Sequence, residues 1–349
     1  MVLLLGIESS CDETAAALVA HDACGERRIL AQAIASQEAE HAPYGGVVPE
    51  IAARAHAERL VPLIDRVLAE AGKKLSDCDA IAATAGPGLI GGVMVGLVTA
   101  KALAMAADVP LLAINHLEGH ALSPRLADPT LQFHYALLLV SGGHCQILRV
   151  DGPGQYRRFA TTIDDALGEA FDKTAKILGL GYPGGPAVEK LALLGNPKAV
   201  PLPRPLVGSG EVQFSFAGLK SAVVRAVESG LHQPEDVAAS FQQAAIDCIL
   251  DRTRIALASM GEVSALVVAG GVAANAAIRT ALEQLAASHA LPFSAPPMAL
   301  CTDNAAMIAW AGIERLAAGF PADPLDVSAR PRWPLDPDAE VVRGAGVKA

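Results

Sequence analysis

From Ala80 to Ala100 the chain carries no charged residue, a run long enough to cross a bilayer as one helix. The same run contains Gly86-Pro87-Gly88 and Gly91-Gly92. Glycine and proline at that density interrupt a helix, so the stretch is predicted to be a buried strand, a turn and then a helix. A strand feeding a helix through a glycine turn is the unit of α/β folds, and its sheet is covered on both faces. Other short apolar runs fit the plan: residues 2–7, 111–114, 135–140, 146–150 and 265–268 read as strands. Helical patterns lie between and after them at 49–71, 92–107, 165–178, 234–259, 274–287 and 305–317. No membrane span is expected. The apolar start, 1–7, lacks a basic region and a cleavage site and meets Glu8, Asp12 and Glu13, so it reads as a strand and not a leader.

At 349 residues the chain suits two domains of about 150 residues each. With 52% hydrophobic and 18% charged residues it is too apolar for a disordered protein. Aromatics supply only 4%, so the core must consist of small aliphatic side chains. The net charge of −10 argues against nucleic-acid binding through the average field, because phosphate affinity comes from Lys and Arg. Six cysteines, at 11, 24, 78, 145, 248 and 301, form no C-x-x-C pair, which points to reduced thiols in a cytoplasmic protein.

An internal echo relates the halves. Leu3-Leu-Leu-Gly-Ile-Glu-Ser-Ser-Cys-Asp12 and Leu137-Leu-Leu-Val-Ser-Gly-Gly-His144 are both strands entering small polar turns. Each is followed later by a strand ending in Ala-Gly, at Ala83 to Gly92 and at Val268 to Asn275. Two lobes of one plan would enclose a nucleotide, although glycine-rich strand ends recur in any α/β protein.

Several stretches carry chemistry. In Asn115-His116-Leu-Glu118-Gly-His120 the two histidines stand four apart, so a helix puts both imidazoles on one face, as a shared metal requires. Glu118 then projects elsewhere, and the order H-x-E-x-H is not that of a zinc protease helix. Asp303, in Cys301-Thr-Asp-Asn304, could complete a set of two histidines and one carboxylate suited to iron(II) or zinc, or it could simply cap the next helix. Asp165, Glu169 and Asp172 fall on one helical face, ahead of a Gly- and Pro-rich exit at 179–186. Ser141-Gly142-Gly143-His144 reads equally as a plain hairpin and as a phosphate cradle. Taken alone, Phe214 to Lys220 says little.

Together these stretches resemble the TsaD family, the bacterial tRNA threonylcarbamoyladenosine transferases. Glu8-Ser-Ser-Cys-Asp-Glu-Thr14, Tyr44-Gly-Gly-Val-Val-Pro-Glu50, Thr84-Ala-Gly-Pro-Gly88 and His116 to His120 carry the likeness. So do Leu139 to His144, Asp164 to Lys176, Tyr182 to Pro186, Phe214 to Lys220, Gly270 to Asn275, Cys301 to Asn304 and Arg330-Pro-Arg-Trp-Pro334. The motifs run in the family's order from residue 2 to about 334, and the one departure noted is Cys145, where Thr is more usual.

The resemblance implies an α/β, two-lobed, actin-like or sugar-kinase-like fold of duplicated ribonuclease-H-like lobes. The lobes would span 1–131 and 132–330, with the site at their interface and a tail at 331–349. It implies transfer of a threonylcarbamoyl group from threonylcarbamoyl-AMP to the exocyclic amine of adenosine 37 of tRNAs reading codons that begin with A. It further implies one divalent metal, iron(II) or zinc, on His116, His120 and Asp303. Leu139, Val140, Ser141, Gly142, Gly143, Asp172, Gly185 and Asn275 would hold the adenylate, with Asp12 and Glu13 near the reacting atoms. The implied partners are a smaller TsaB-like paralogue of the same fold and a TsaE-like P-loop ATPase. Three rival readings stand beside it: an ATP-dependent kinase of this fold, which needs no histidine pair; a metalloprotease, against which the place of Glu118 argues; and a noncatalytic scaffold, which would lack the pair and Asp303.

Overall fold

The computed structural model describes residues 1–342. The chain divides into two compact units, the first formed by Met1–Thr130, Gly152–Gln155 and Pro296–Pro337 and the second by Leu131–Asp151, Tyr156–Ala295 and, of the described residues after 337, 338–342.

In the first unit, β1 (Val2–Glu8) pairs antiparallel with β2 (Glu13–His21), and β2 with β3 (Arg27–Ser36). After the short α1 (Glu38–His41) and the long α2 (Pro49–Glu70), β4 (Ala80–Gly86) returns parallel to β1. Helix α3 (Ile90–Ala107) then leads to β5 (Leu111–Asn115), parallel to β4, and straight into α4 (His116–Ala127). The sheet order is β3-β2-β1-β4-β5. The charge-free run is thus a strand, a glycine turn and a helix. Helix α3 is apolar and long enough to cross a membrane, yet it packs on β4, β1 and α2. At Gly86, φ is +138° and a side chain would fall on the carbonyl of Arg330, so that turn accepts only glycine.

In the second unit, β6 (Tyr135–Val140) pairs antiparallel with β7 (Cys145–Gly152), and β8 (Gln155–Thr161) lies beyond β7. Four helices follow: α5 (Leu167–Ile177), α6 (Gly184–Ala192), α7 (Ala217–Glu228) and α8 (Pro234–Met260). Strand β9 (Leu266–Ala269) returns parallel to β6, and α9 (Ala276–Ser288) leads to β10 (Phe293–Ser294), parallel to β9. The order β10-β9-β6-β7-β8 repeats the first sheet strand for strand. The echo is therefore a duplication: β1 corresponds to β6 and β4 to β9.

The chain then re-enters the first unit with α10 (Met298–Cys301) and α11 (Ala305–Ala317), and α11 packs on β1, β2 and α4. This differs from an uninterrupted second lobe over 132–330. The physical reason is α11, whose length from Ala305 to Ile313 is buried and finds its apolar partner in the first sheet. Of the expected tail at 331–349, residues 331–337 group with the first unit and 343–349 lie outside the described residues.

Gly6 in β1 marks that packing. A β-carbon there would fall against the Ala305 carbonyl and Ala309. Gly6→Ala is expected to cost about 1–3 kcal/mol by overpacking. Urea unfolding would read it, and an unchanged midpoint would count against α11 seated on β1.

Candidate functional site

Strand β5 ends at Asn115, whose side chain accepts from the Leu117 N–H at 2.9 Å and so starts α4 at once. His116 and His120 occupy one face of its first turns, their ring centroids 4.8 Å apart. Asp303 arrives in the break between α10 and α11. Its Oδ1 lies 3.0 Å from His120 Nε2 and 3.6 Å from His116 Nε2. One ligand atom from each residue lies within 4.8 Å of the others. The histidines are buried, and Asp303 keeps its side chain 20% exposed, which leaves the group open on one side.

The capping alternative for Asp303 is not what the structure uses. Asn304 caps α11, accepting from the Met307 N–H at 2.9 Å. Asp303 is thereby left to the histidines. Glu118 turns away from them to accept from the Gly154 N–H at 2.8 Å and to pair with Arg315 at 3.3 Å.

Behind the histidines stands Glu8, the last residue of β1 and fully buried. Its Oε2 lies 3.0 Å from His116 Nδ1 and accepts from the Thr84 hydroxyl at 2.5 Å, while Oε1 accepts from the Ser10 N–H at 2.6 Å. A carboxylate on Nδ1 fixes the tautomer that presents Nε2 to the open side. Burial opposes charge on both partners, but the pairing prevails. His116 is lifted to about 9 by Asp303 and Glu8, and His116 holds Glu8 below the usual carboxylate value. His120 Nδ1 is buried with no partner among the described residues.

The donor set fits a divalent metal. Two imidazole nitrogens and one carboxylate converge, one histidine is backed by a carboxylate, and acids crowd the surroundings. Glu13 shows the crowding: burial first, then the charges of Asp303 and Asp12, push its carboxyl up to about 10. Iron(II) and zinc both suit two histidines and one carboxylate.

The residues expected to hold the adenylate all lie in the second unit: residues 139–143 at the end of β6, Asn275 after β9, Asp172 on α5 and Gly185 on α6. Leu139 and Val140 are the buried end of β6. Residues 141–144 form a hairpin connection closed by Ser141 N–H donating to His144 O at 2.8 Å, and a β-carbon added at Gly142 or Gly143 would meet nothing within 4 Å. Gly168, near the start of α5, packs on Ser141 and Gly142. Asp172 accepts from the Gly184 N–H at 2.9 Å, tying α5 to the first residue of α6 and leaving Gly185 in open space. Asn275 caps α9 and donates to Gln242 Oε1 at 2.9 Å.

The shared acidic face of α5 needs correction. The helix begins at Leu167, after Asp165. Lys173 pairs with Asp165 and Glu169, each at 2.8 Å, and Lys220 lies 3.3 Å from Asp165, so Asp172 alone turns to α6. Asp164 serves another helix, accepting from the Phe216 N–H at 2.7 Å and the Ala217 N–H at 3.2 Å at the start of α7. That explains Phe214 to Lys220, which the sequence left without a role. Glu8 itself was missed, although its place ahead of the Asp12-Glu13 pair was the available signal.

A family model described as TsaD, tRNA N6-adenosine threonylcarbamoyltransferase, matches residues 28–310. The chain belongs to the TsaD family. A relative from Novosphingobium aromaticivorans, named tRNA N6-adenosine threonylcarbamoyltransferase, is 76% identical, with both chains fully covered. One of the same name from Zymomonas mobilis is 66% identical over all of this chain and 96% of its own. Membership in TsaD makes the chain a transferase that modifies tRNA. Among solved structures, HypF from T. kodakarensis matches with a TM-score of 0.61 at 16% identity, over 92% of this chain and 48% of its own. Component A of the Acidaminococcus fermentans (R)-2-hydroxyglutaryl-CoA dehydratase matches with a TM-score of 0.53 at 17% identity, over 91% and 100%. These two share the actin-like, sugar-kinase-like fold of TsaD.

Separating ligand from cap is a direct test. Asp303→Ala should abolish stoichiometric binding of added zinc or iron(II). Asn304→Ala should cost about 1 kcal/mol of stability and leave binding intact. Metal analysis beside urea unfolding reads both, and metal retained by Asp303→Ala would contradict the assignment.

Proposed function

We propose that the chain transfers the threonylcarbamoyl group of threonylcarbamoyl-AMP to the exocyclic amine of adenosine 37, just 3′ of the anticodon, in tRNAs reading codons that begin with A. The observation that supports it most is the convergence of His116, His120 and Asp303, backed by Glu8, in a chain of this family. His116, His120 and Asp303 would hold one divalent metal, iron(II) or zinc, which when bound supplies a Lewis acid for an oxygen that gains charge. Glu8 keeps the Nδ1 proton of His116, so that Nε2 remains the ligand atom.

In this reaction the amine nitrogen bonds to the carbamoyl carbon, AMP departs with the bonding electrons, and the nitrogen loses a proton. Charge grows on the carbonyl oxygen and then on phosphate. The turn from Leu139 to Gly143, with Asp172, Gly185 and Asn275, would hold the adenylate. The open glycines of the hairpin and the N-terminus of α6 offer backbone donors for phosphate. Asp12 and Glu13 would receive the amine proton. A carboxyl raised to about 10 accepts only after its own proton has left.

A chain of net charge −10 would grip tRNA through local cations and partners. Lys73-Lys74, Arg157-Arg158 and Arg330 with Arg332 offer such cations. Arg27 is a weaker choice beside Arg28, because its guanidinium is part-buried and donates to the Arg125 carbonyl. A smaller paralogue of the same fold and a P-loop ATPase are the proposed partners, and the cytoplasm the proposed compartment.

Purified chain, partners, threonylcarbamoyl-AMP and unmodified tRNA should yield the modified nucleoside by mass spectrometry, and folded His116→Ala should yield none. Product from that variant would remove the metal assignment. The chain alone should bind tRNA weakly by filter retention. Tight, salt-sensitive binding without partners would overturn the proposal of shared grip.

A further inference from the structure

We propose that His56 is a positioning residue for the acidic turn at 9–13, fixing the peptide that carries Asp12 through a buried chain of hydrogen bonds of single direction. The inference rests on the reading above, in which Asp12 and Glu13 serve the transfer.

The turn is held carbonyl by carbonyl. That of Ser10 accepts from the Leu89 N–H at 2.8 Å, and that of Asp12 from the Gln37 N–H at 3.0 Å. Between them the Cys11 carbonyl accepts from a side chain, His56 Nε2, at 3.1 Å. Rotation of the Cys11–Asp12 peptide would swing the Asp12 carboxylate. His56 opposes that rotation.

The ring is fixed from behind. Thr14 Oγ1 lies 2.8 Å from His56 Nδ1, and Gln37 Nε2 lies 3.4 Å from Thr14 Oγ1 and 3.3 Å from His56 Nδ1. His41 Nε2 lies 3.1 Å from Gln37 Oε1, and the Val48 N–H donates to His41 Nδ1 at 3.3 Å. A backbone N–H only donates and a carbonyl only accepts. The two ends therefore set the direction throughout: Val48 N–H to His41, His41 to Gln37, Gln37 to both Thr14 and His56, Thr14 to His56, and His56 to the Cys11 carbonyl. This order requires a neutral imidazole. Burial supplies that by holding His56 below its usual value, against the opposing pull of the Cys11 carbonyl, Glu8 and Asp12. The four side chains are fully buried, where a missing partner is expensive. Helix α3 leaves room for the ring at Gly92, whose β-carbon would strike the Ser9 carbonyl and crowd His56.

The experiment compares His56→Leu, which removes both nitrogens, with His56→Gln, whose amide nitrogen reaches the Nε2 position. In the reconstituted reaction, His56→Leu should lower kcat about 10²-fold, the cost of a misplaced reacting group. KM for threonylcarbamoyl-AMP and metal content should stay at wild-type values, and His56→Gln should recover most of kcat. Wild-type kcat in His56→Leu, a loss confined to KM or metal content, or no recovery in His56→Gln each overturns the proposal. Should His56→Leu fail to fold, His56→Asn and His56→Gln decide it: the shorter amide stops short of the Cys11 carbonyl and should lose kcat, the longer one should keep it, and equal activities overturn the proposal. Asp12→Asn and Glu13→Gln run alongside. Full activity in both ends the reading of the turn as catalytic, whereas loss there with full activity in His56→Leu ends the positioning role alone.

Discussion

A buried carboxylate at the end of the first strand sets the terms for the first unit. Glu8 has no exposure, and an unpaired ion there would cost several kcal/mol. Its partners come from three places in the chain: Ser10 from the turn after β1, Thr84 from the adjacent parallel strand β4, and His116 from the start of α4. The parallel order of β1, β4 and β5 is what brings these ends together. A shift of register in either pair would strand the charge, so the requirement that satisfies Glu8 also aims the His116 imidazole. The ion pair is weak as a source of net stability, because desolvation offsets its attraction. Its value lies in orientation.

The strands most legible in the sequence are those buried on both faces. Strands β1, β4, β5, β6 and β9 are short apolar runs, and each lies within a residue or two of its expected bounds. Strand β2 escaped because Glu13-Thr-Ala-Ala-Ala-Leu-Val-Ala-His21 is alanine-rich, and alanine has little strand preference of its own; pairing with β1 and β3 decides its state. Strand β3 alternates weakly, with Ile29 and Ile34 exposed, and β8 is polar at its start. The histidine pair was visible from its spacing of four. The choice between ligand and cap for Asp303 was not, because it turned on which of two adjacent residues faces α11, and Asn304 does. Nor could spacing reveal that Asp164 caps a helix fifty residues later.

The duplication gives the two units one strand plan and different chemistry at equivalent places. In open α/β sheets the C-terminal ends of parallel strands are where ligands bind, since loops there face away from the strand pairing. In the first unit those ends carry Glu8, Thr84 and His116; in the second they carry the Val140 to His144 hairpin and the Gly270 to Asn275 turn. The first is a set of ionisable side chains. The second relies on glycine, and Gly270, with φ +92°, lies where any side chain would strike the Val140 carbonyl. One fold thus presents donors for a cation in one unit and backbone N–H groups suited to an anion in the other.

This division also changes the meaning of the overall acidity. A net charge of −10 treats every carboxylate as part of one outward field. Glu8 is fully buried, Glu13 is pushed up to about 10, and Asp303 stands against two histidines, so these acids act on one another before they act on solvent. Such crowding is unfavourable alone and becomes favourable when a cation shares the space. Part of the charge that argued against an RNA substrate therefore belongs to a buried acidic cluster around His116, His120 and Asp303, not to the outward field. Whole-chain charge is an average, and here the average mixes a buried site with a surface that still carries paired basic residues at Lys73-Lys74 and Arg157-Arg158.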